Sequence, residues 1–417
     1  MSKVSIIGAY NTKFGSLVEV KDRISFKQKI DQKTFYDLII EAGRGAIADA
    51  GLKAEDIDGV WIGACAPSRF VNQEHVAPIG VMIDPALRFK PMTRTEAACA
   101  SSSVAIYDAM YAVESGRFKN VLVVGVEKMN LLDTAAMTTA LATCSYWPEE
   151  GGKGSTFPAL FAELAKAYIA HYGISDADWR QQSAHVAAMC YRNASHNPLA
   201  HVQNGPQSAA DILGLPDAGK GSNMMVAAPL RLHDCSLVTD GAAAVVLTST
   251  ENAMKTRDKV VEIAGIGHSE EHLPLSLRQN MWELQAGKDA VQKAYKEAGI
   301  TAKDIDIAEV HDCFTINQLL TTEALGFSAD GTAGQDYIAG RFGPDDEQVC
   351  INLSGGLKAK GHPVGATGAS MHALVYKQLM EEPIGLKPSK KVPKVGVTFN
   401  VGGSGVTNCV TVLRRVK

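Results

Sequence analysis

A chain of 417 residues with 46% hydrophobic and 21% charged side chains reads as globular, and it is too long for a single ordinary core. Its formal net charge of −4 gives no electrostatic case for nucleic acid or an anionic membrane surface. Eight cysteines, at 65, 99, 144, 190, 235, 313, 350 and 409, form no CxxC pair and lack the density of a secreted disulfide scaffold, which predicts a reduced, cytoplasmic compartment.

The opening "MSKVSIIGAY" enters a strand pattern directly, with neither the apolar core of a signal peptide nor an Arg-rich transit helix. "TFYDLIIEAGRGAIADAGL" follows with helical spacing, then a short strand run "GVWIGAC", a helical stretch "CASSSVAIYDAMYAVESG" and a strand "NVLVVGVEKM". This alternation predicts a mainly parallel sheet covered by helices. From about 127 to 235 the pattern loosens into helices and polar loops, including "YWPEEGGKGSTFPA" and "RNASHNPLAHVQNGPQ", and reads as a long insertion of the kind that forms lids or binding surfaces. No run approaches the roughly 20 apolar residues of a membrane span, and the C-terminal "LRRVK" is not a peroxisomal tripeptide.

The second half repeats the first. "VVEIAGIG" at 260–267 resembles "VSIIGAY", "LQAGKDAVQKAYKEAGITAKDIDIAEV" runs parallel to "FYDLIIEAGRGAIADAGLKAEDIDGVW", and the halves close on "GAAAVVLTST" and "NCVTVLRRV". Two similar βα units packed side by side are expected. The expected boundaries are 1–126 with 236–255 for the first unit, 127–235 for the insertion and 256–417 for the second unit.

In α/β sheets, ligands collect beyond the carboxyl ends of strands and at helix N-termini. Four segments are expected there. Cys99 stands among Ala and Ser just ahead of a long helix, where the dipole favours a thiolate; a small buried cysteine is the plainer alternative. His362 sits in the Gly-rich "LSGGLKAKGHPVGATGASMHAL", which lacks the GK(S/T) ending of a nucleotide-binding loop. In "AEVHDCFTIN", period two puts His311 and Cys313 on one side at a strand end. "FNVGGSGVTN" offers backbone donors to an oxyanion. The triplet HDC recurs at 233–235. A zinc site of His233, Cys235, His311 and Cys313 has suitable ligand types, but HxC is not a usual zinc spacing.

"EAACASSSVA", "AEVHDCF", "GGLKAKGHPVGATG" and "NVGGSG" occur in the order and approximate spacing of the thiolase family, over essentially the whole chain, and most resemble the sterol-carrier-protein-type thiolases without their lipid-carrier domain. The resemblance implies an α/β thiolase fold in which duplicated βαβαβαββ halves form a five-layered αβαβα sandwich with an inserted loop domain. It implies an acetyl-CoA C-acyltransferase that cleaves a 3-oxoacyl-CoA with CoA, as in β-oxidation, or runs the reverse Claisen condensation. CoA thioesters are then the substrates, with no permanently bound cofactor and no metal.

It also assigns roles. Cys99 would be the nucleophile and His362 its activator. Cys313 would be the acid/base, because Asn400 stands where many thiolases carry a second catalytic cysteine. The imidazoles of His311 and His362 would hold the enolate oxygen, and the backbone N–H groups of Cys99 and Gly402 the second oxyanion. The 233–235 copy is then structural. Tyr146, Trp147 and Phe157 are candidates to line an acyl site, and Lys358 and Lys360 to attract CoA phosphates. A homodimer or larger assembly is implied, and a small zinc-ribbon/OB-fold subunit is a further candidate partner, with segment 16–34 as its surface or as a lid. The rival readings are a carrier-protein-dependent ketosynthase and a thiolase-like lyase or acyl-CoA-binding subunit.

Overall fold

The structure, a computed structural model, describes residues 3–21 and 29–417. Ten strands form one sheet: β1 (Val4–Asn11), β2 (Gly59–Gly63), β3 (Met92–Thr95), β4 (Asn120–Glu127), β5 (Gly241–Ser249), β6 (Val261–Glu270), β7 (Ile307–Val310), β8 (Cys350–Ile351), β9 (Val395–Gly402) and β10 (Thr407–Arg415). Their spatial order is β8-β7-β9-β10-β6-β1-β5-β4-β2-β3. The second half therefore repeats the order of the first with every strand number raised by five, and the strand directions repeat as well. The halves join where β1 pairs antiparallel with β6, Val4 opposite Ile263.

The sheet is mixed, where the alternating pattern predicts a mainly parallel one. Only β4-β2-β3 and β9-β7-β8 are parallel; the closing strands β5 and β10 run antiparallel to both neighbours. The connection from β9 to β10 is a short glycine turn at 403–406, too short for the crossover a parallel pair requires.

The longer helices are α1 (Phe35–Asp49), α2 (Ser101–Glu114), α3 (Thr134–Ala142), α4 (Phe157–Tyr172), α5 (Asp176–Ala194), α6 (Gln285–Ala298), α7 (Thr315–Ala324) and α8 (Thr367–Leu379). Thr34 and Asp37 start α1 with a reciprocal capping box, and Leu38, Ile39, Ala42 and Ala46 form its buried stripe. α1 covers the outer face of the first half, α6 covers the second, and α2 and α8 pack together between them. Three apolar clusters correspond to these layers. Phe35, Leu38 and Val124 lie under α1; Ile106, Val123, Val375 and Leu413 lie around the central helices; Ala290, Ala294 and Val412 lie under α6.

The duplication reaches single atoms. A Cβ on Gly8 of β1 would stand 2.5 Å from the carbonyl oxygen of Ala46, and one on Gly265 of β6 would stand 2.5 Å from that of Ala294. Both glycines follow a break in the ladder, between Ile6 and Gly8 and between Ile263 and Gly265, so each half draws its outer helix onto a bulged strand in the same way. Gly265→Ala is expected to cost about 1–3 kcal/mol, read as a lowered urea midpoint. An unchanged midpoint would show that the helix can shift freely.

The segment 127–235 holds α3, α4, α5, a short helix (Ala209–Leu213) and an antiparallel pair (Met225–Ala227 with Leu230–Arg231). It leaves the first half and packs on the second: Phe161, Tyr168 and Trp179 share a core with Phe314, Leu319 and Tyr337. Phe161 and Phe314 are in ring contact, with centroids 4.6 Å apart, and the Tyr168 hydroxyl donates to Glu323 at 2.6 Å. Of segment 16–34, residues 22–28 lie outside the described residues, and Val18–Val20 pairs with Lys29–Asp31. No described helix is long and apolar enough to cross a membrane.

Candidate active site

The four predicted segments converge. Cys99 occupies a single turn (Ala98–Ala100) ahead of α2. Ala98 is held at φ +49°, a left-handed conformation costing a non-glycine residue roughly 1–2 kcal/mol. Local bonds hold it there: Ala98 N–H donates to Glu96 at 2.6 Å, and the Ser101 hydroxyl donates to the Ala98 carbonyl at 2.6 Å. Behind this turn, Ser102 packs where Cβ atoms on Gly63 or Gly125 would intrude, and its hydroxyl accepts Ala369 N–H at 2.9 Å. The N-termini of α2 and α8 are thereby fastened together, which brings Cys99 to His362.

Sγ of Cys99 and one nitrogen each of His311 and His362 lie within 4.8 Å of one another. The two rings meet edge to face, with centroids 5.1 Å apart. Their hydrogen bonds give them opposite tautomers. Nδ1 of His311 accepts from the Asn400 amide at 3.0 Å and from Val401 N–H at 3.2 Å, so the ring proton is on Nε2, which is buried and has no partner among the described residues. Thr367 directs its hydroxyl hydrogen to the Pro363 carbonyl at 3.1 Å and accepts from Nδ1–H of His362 at 2.7 Å. That leaves the Nε2 lone pair of His362 free. One histidine thus presents an N–H donor and the other a free lone pair.

The electrostatics fit neutral partners. Burial, reinforced by Lys360, pushes His362 down to about 3, and burial with His362 alongside depresses His311 well below an ordinary imidazole. Burial pushes the Cys99 thiol up, reinforced by Cys144, while Gly403 N–H donating to the sulfur opposes the rise. The dipole-stabilised thiolate expected from the sequence is therefore not the resting state. Desolvation at the cavity outweighs one helix turn, and the thiol needs a base. Alkylation of Cys99 by iodoacetamide is expected to speed up with pH across about 6 to 9, without the acid plateau of a thiolate–imidazolium pair. Peptide mapping reads the rate, and a pH-independent rate below about 7 would contradict the neutral pair.

Cys99 and His362 open on an apolar cavity of about 160 Å³ that also exposes Cys313 and Cys235. The two HDC triplets are therefore neighbours: Ser236 N–H donates to the Cys313 carbonyl at 2.9 Å, and Cys235 forms a bridge with Phe314. In the 233–235 copy, expected to be structural, His233 is outside the cavity lining, with Nδ1 2.9 Å from the Tyr191 hydroxyl. Cys235 lies on the same wall as Cys313, a proximity that sequence spacing does not carry. Burial, with Cys99 and Asp312 nearby, keeps Cys313 a protonated thiol.

The remaining candidates divide. Phe157 lines the cavity, joined by Phe161 and Phe314, whereas Tyr146 does not, and Trp147 is 49% exposed beside a separate surface hollow. Lys358 and Lys360 are 2% and 1% exposed, so neither is a surface anchor for phosphate. Lys358 donates to the Tyr191 hydroxyl at 2.7 Å, and Lys360 to Ser370 at 2.7 Å. Both are drawn inward because the Asp312 carboxylate ties down the backbone of their segment through Leu357 N–H and Lys358 N–H. Gly402 stands beside the Cys99 turn, and the neighbouring N–H on the Cys99 sulfur is that of Gly403. A cation held by Cys99, His311 and His362 would require His311 to give up its Nε2 proton, which the two donors on Nδ1 oppose.

The family model described as the thiolase N-terminal domain matches residues 4–204, and the thiolase C-terminal domain-like model matches 267–415. The chain belongs to the thiolase family. It is an acyltransferase of that family. It is 37% identical to the acetyl-CoA acetyltransferase of Methanothermobacter thermautotrophicus over 415 residues, covering 100% of both chains. It is 27% identical to human sterol carrier protein 2, over 90% of this chain and 67% of that one. Among solved folds, the Ltp2-ChsH2(DUF35) aldolase superposes with a TM-score of 0.79 at 21% identity, covering 99% of this chain and 97% of that one. In this thiolase Asn400 touches both Cys99 and His311, contacts that could not be read from the sequence.

Proposed function

We propose that this thiolase cleaves 3-oxoacyl-CoA esters with CoA through an acyl-Cys99 intermediate, and that the same residues run the reverse condensation. The observation that carries the reading is the Cys99, His311 and His362 triangle with its two opposite tautomers.

His362 Nε2 takes the Cys99 proton as the sulfur attacks the 3-oxo carbon. The bond between the α and β carbons then breaks, leaving the acyl group on sulfur and the electron pair in the enolate of acetyl-CoA. His311 Nε2–H faces the enolate oxygen, joined by His362 once it carries the proton. Backbone N–H groups of Cys99 and the Gly402–Gly403 turn face the oxygen of the acyl group. Cys313 gives its proton to the enolate carbon, which releases acetyl-CoA. The CoA thiol then attacks the acyl-enzyme and yields its proton to Cys313, while His362 returns the first proton to Cys99.

The apolar wall formed by Phe157, Phe161 and Phe314 fits the uncharged part of an acyl-CoA. A homodimer and a small zinc-ribbon/OB-fold partner remain part of the proposal, the latter supported by a structural neighbour whose name pairs Ltp2 with ChsH2(DUF35). The test is CoA-dependent cleavage of acetoacetyl-CoA and larger 3-oxoacyl-CoA esters into two thioesters, followed by mass spectrometry. Cleavage of none of them, with the candidate partner added, would contradict the reading.

A further inference from the structure

We infer that Asn400 is a positioning residue that, together with Val401 N–H, fixes which nitrogen of His311 carries the proton, and that it ties this oxyanion donor to the Cys99 turn. The side chain is fully buried. One N–H of its amide donates to the Cys99 carbonyl at 3.1 Å and the other to His311 Nδ1 at 3.0 Å, while its oxygen accepts the Ser103 hydroxyl at 2.8 Å. Turning the amide over would set its oxygen against an acceptor carbonyl and a ring lone pair, so the network admits one orientation.

Val401 N–H supplies a second donor to the same ring nitrogen, at 3.2 Å. A nitrogen facing two N–H groups cannot hold a proton, so the neutral ring keeps it on Nε2, which is buried and has no partner among the described residues. Gly368 completes the arrangement. A Cβ there would stand 2.7 Å from the Asn400 oxygen and collide with the Ser103 hydroxyl, so this glycine keeps open the space in which Ser103 orients the amide.

A cysteine at position 400 has one weak donor and cannot bridge the Cys99 carbonyl and the imidazole together. Asparagine at this place thus takes no proton itself. It joins the nucleophile turn to the oxyanion histidine, and the acid/base work is left to Cys313.

The tautomer is read without substrate, and only the expected loss of rate rests on the acyl-transfer reading. The measurement is the long-range ¹H–¹⁵N spectrum of full-length protein labelled at histidine, with His311 assigned by loss of its signals in His311→Gln. In the wild type, His311 is expected to show a bare Nδ1 and a protonated Nε2 from about pH 5.5 to 9. In Asn400→Asp, a neutral carboxyl can still donate, but on ionising it accepts instead, so the proton moves to Nδ1 as pH rises. The kcat for thiolysis should fall by about a hundredfold over the same range with KM within about threefold. Asn400→Ala retains the Val401 donor and is expected to keep the tautomer with a smaller loss, about tenfold. A protonated Nδ1 in the wild type overturns the inference, as does an Asn400→Asp spectrum matching the wild type up to about pH 9. If Asn400→Asp does not fold, Asn400→Ala decides: a kcat within about twofold of the wild type overturns the inference. The expected tautomers in a protein that cleaves no ester would leave the inference standing and count against the acyl-transfer reading.

Discussion

Cys99→Ala is expected to abolish acyl transfer, with kcat/KM lowered by about 10⁴- to 10⁶-fold. The basis is positional. Among the described residues Cys99 is the one thiol within 4.8 Å of both ring nitrogens, and Gly403 N–H is directed at its sulfur. His311 and His362 survive the substitution and can still bind and polarise a thioester, so KM for the ester should change far less than kcat. The check is steady-state thiolysis of a 3-oxoacyl-CoA, with the folded state monitored by thermal unfolding. Residual activity within about tenfold of the wild type would show that another cavity thiol is the nucleophile.

Cys313→Ala is expected to produce a different defect. On the proposed mechanism the nucleophile and its base are intact, so Cys99 should still be acylated by a simple acyl-CoA and return the group to CoA. In the proposed mechanism the carbon–carbon step needs the proton that Cys313 carries, so that step should slow by about 10²- to 10⁴-fold. Cys235→Ala is the matched control, because Cys235 lies on the same wall but its thiol is directed to the Arg231 carbonyl at 3.3 Å. It should stay within about tenfold of the wild type. Rapid-quench measurement of acyl exchange beside full thiolysis separates the steps. If Cys235→Ala loses the carbon–carbon step and Cys313→Ala keeps it, the acid/base belongs to the other HDC triplet.

Much of the fold was legible because repetition is a strong signal. "VSIIGAY" and "VVEIAGIG" do occupy equivalent strands, and the glycines at 8 and 265 do equivalent packing. The antiparallel closing strands were masked by the preceding βα alternation, which resembles a parallel sheet until the pairing of β5 and β10 is seen. At the site, the Gly-rich entrance to α8 and the strand end after β7 bring His362 and His311 side by side, as their motifs led one to expect. The state of Cys99 did not follow, because its dipole argument is local while the desolvation that raises its pKa comes from the whole cavity. Lys358 and Lys360 look like solvated lysines in sequence, yet Asp312, some 46 residues earlier, folds their segment into the core. The placements of Asn400 and Cys235 depend on contacts across roughly 300 and 80 residues, which no local spacing records.

The central claim is that a covalent acyl group passes through Cys99. Intact-mass spectrometry of wild type and Cys99→Ala after brief mixing with acetoacetyl-CoA and a panel of larger 3-oxoacyl-CoA esters tests it most directly. The account predicts an acyl adduct on the wild type alone, mapped to the Cys99 peptide and discharged by free CoA. An adduct of the same yield on Cys99→Ala, or turnover by the wild type without any adduct under quenched conditions, would contradict it.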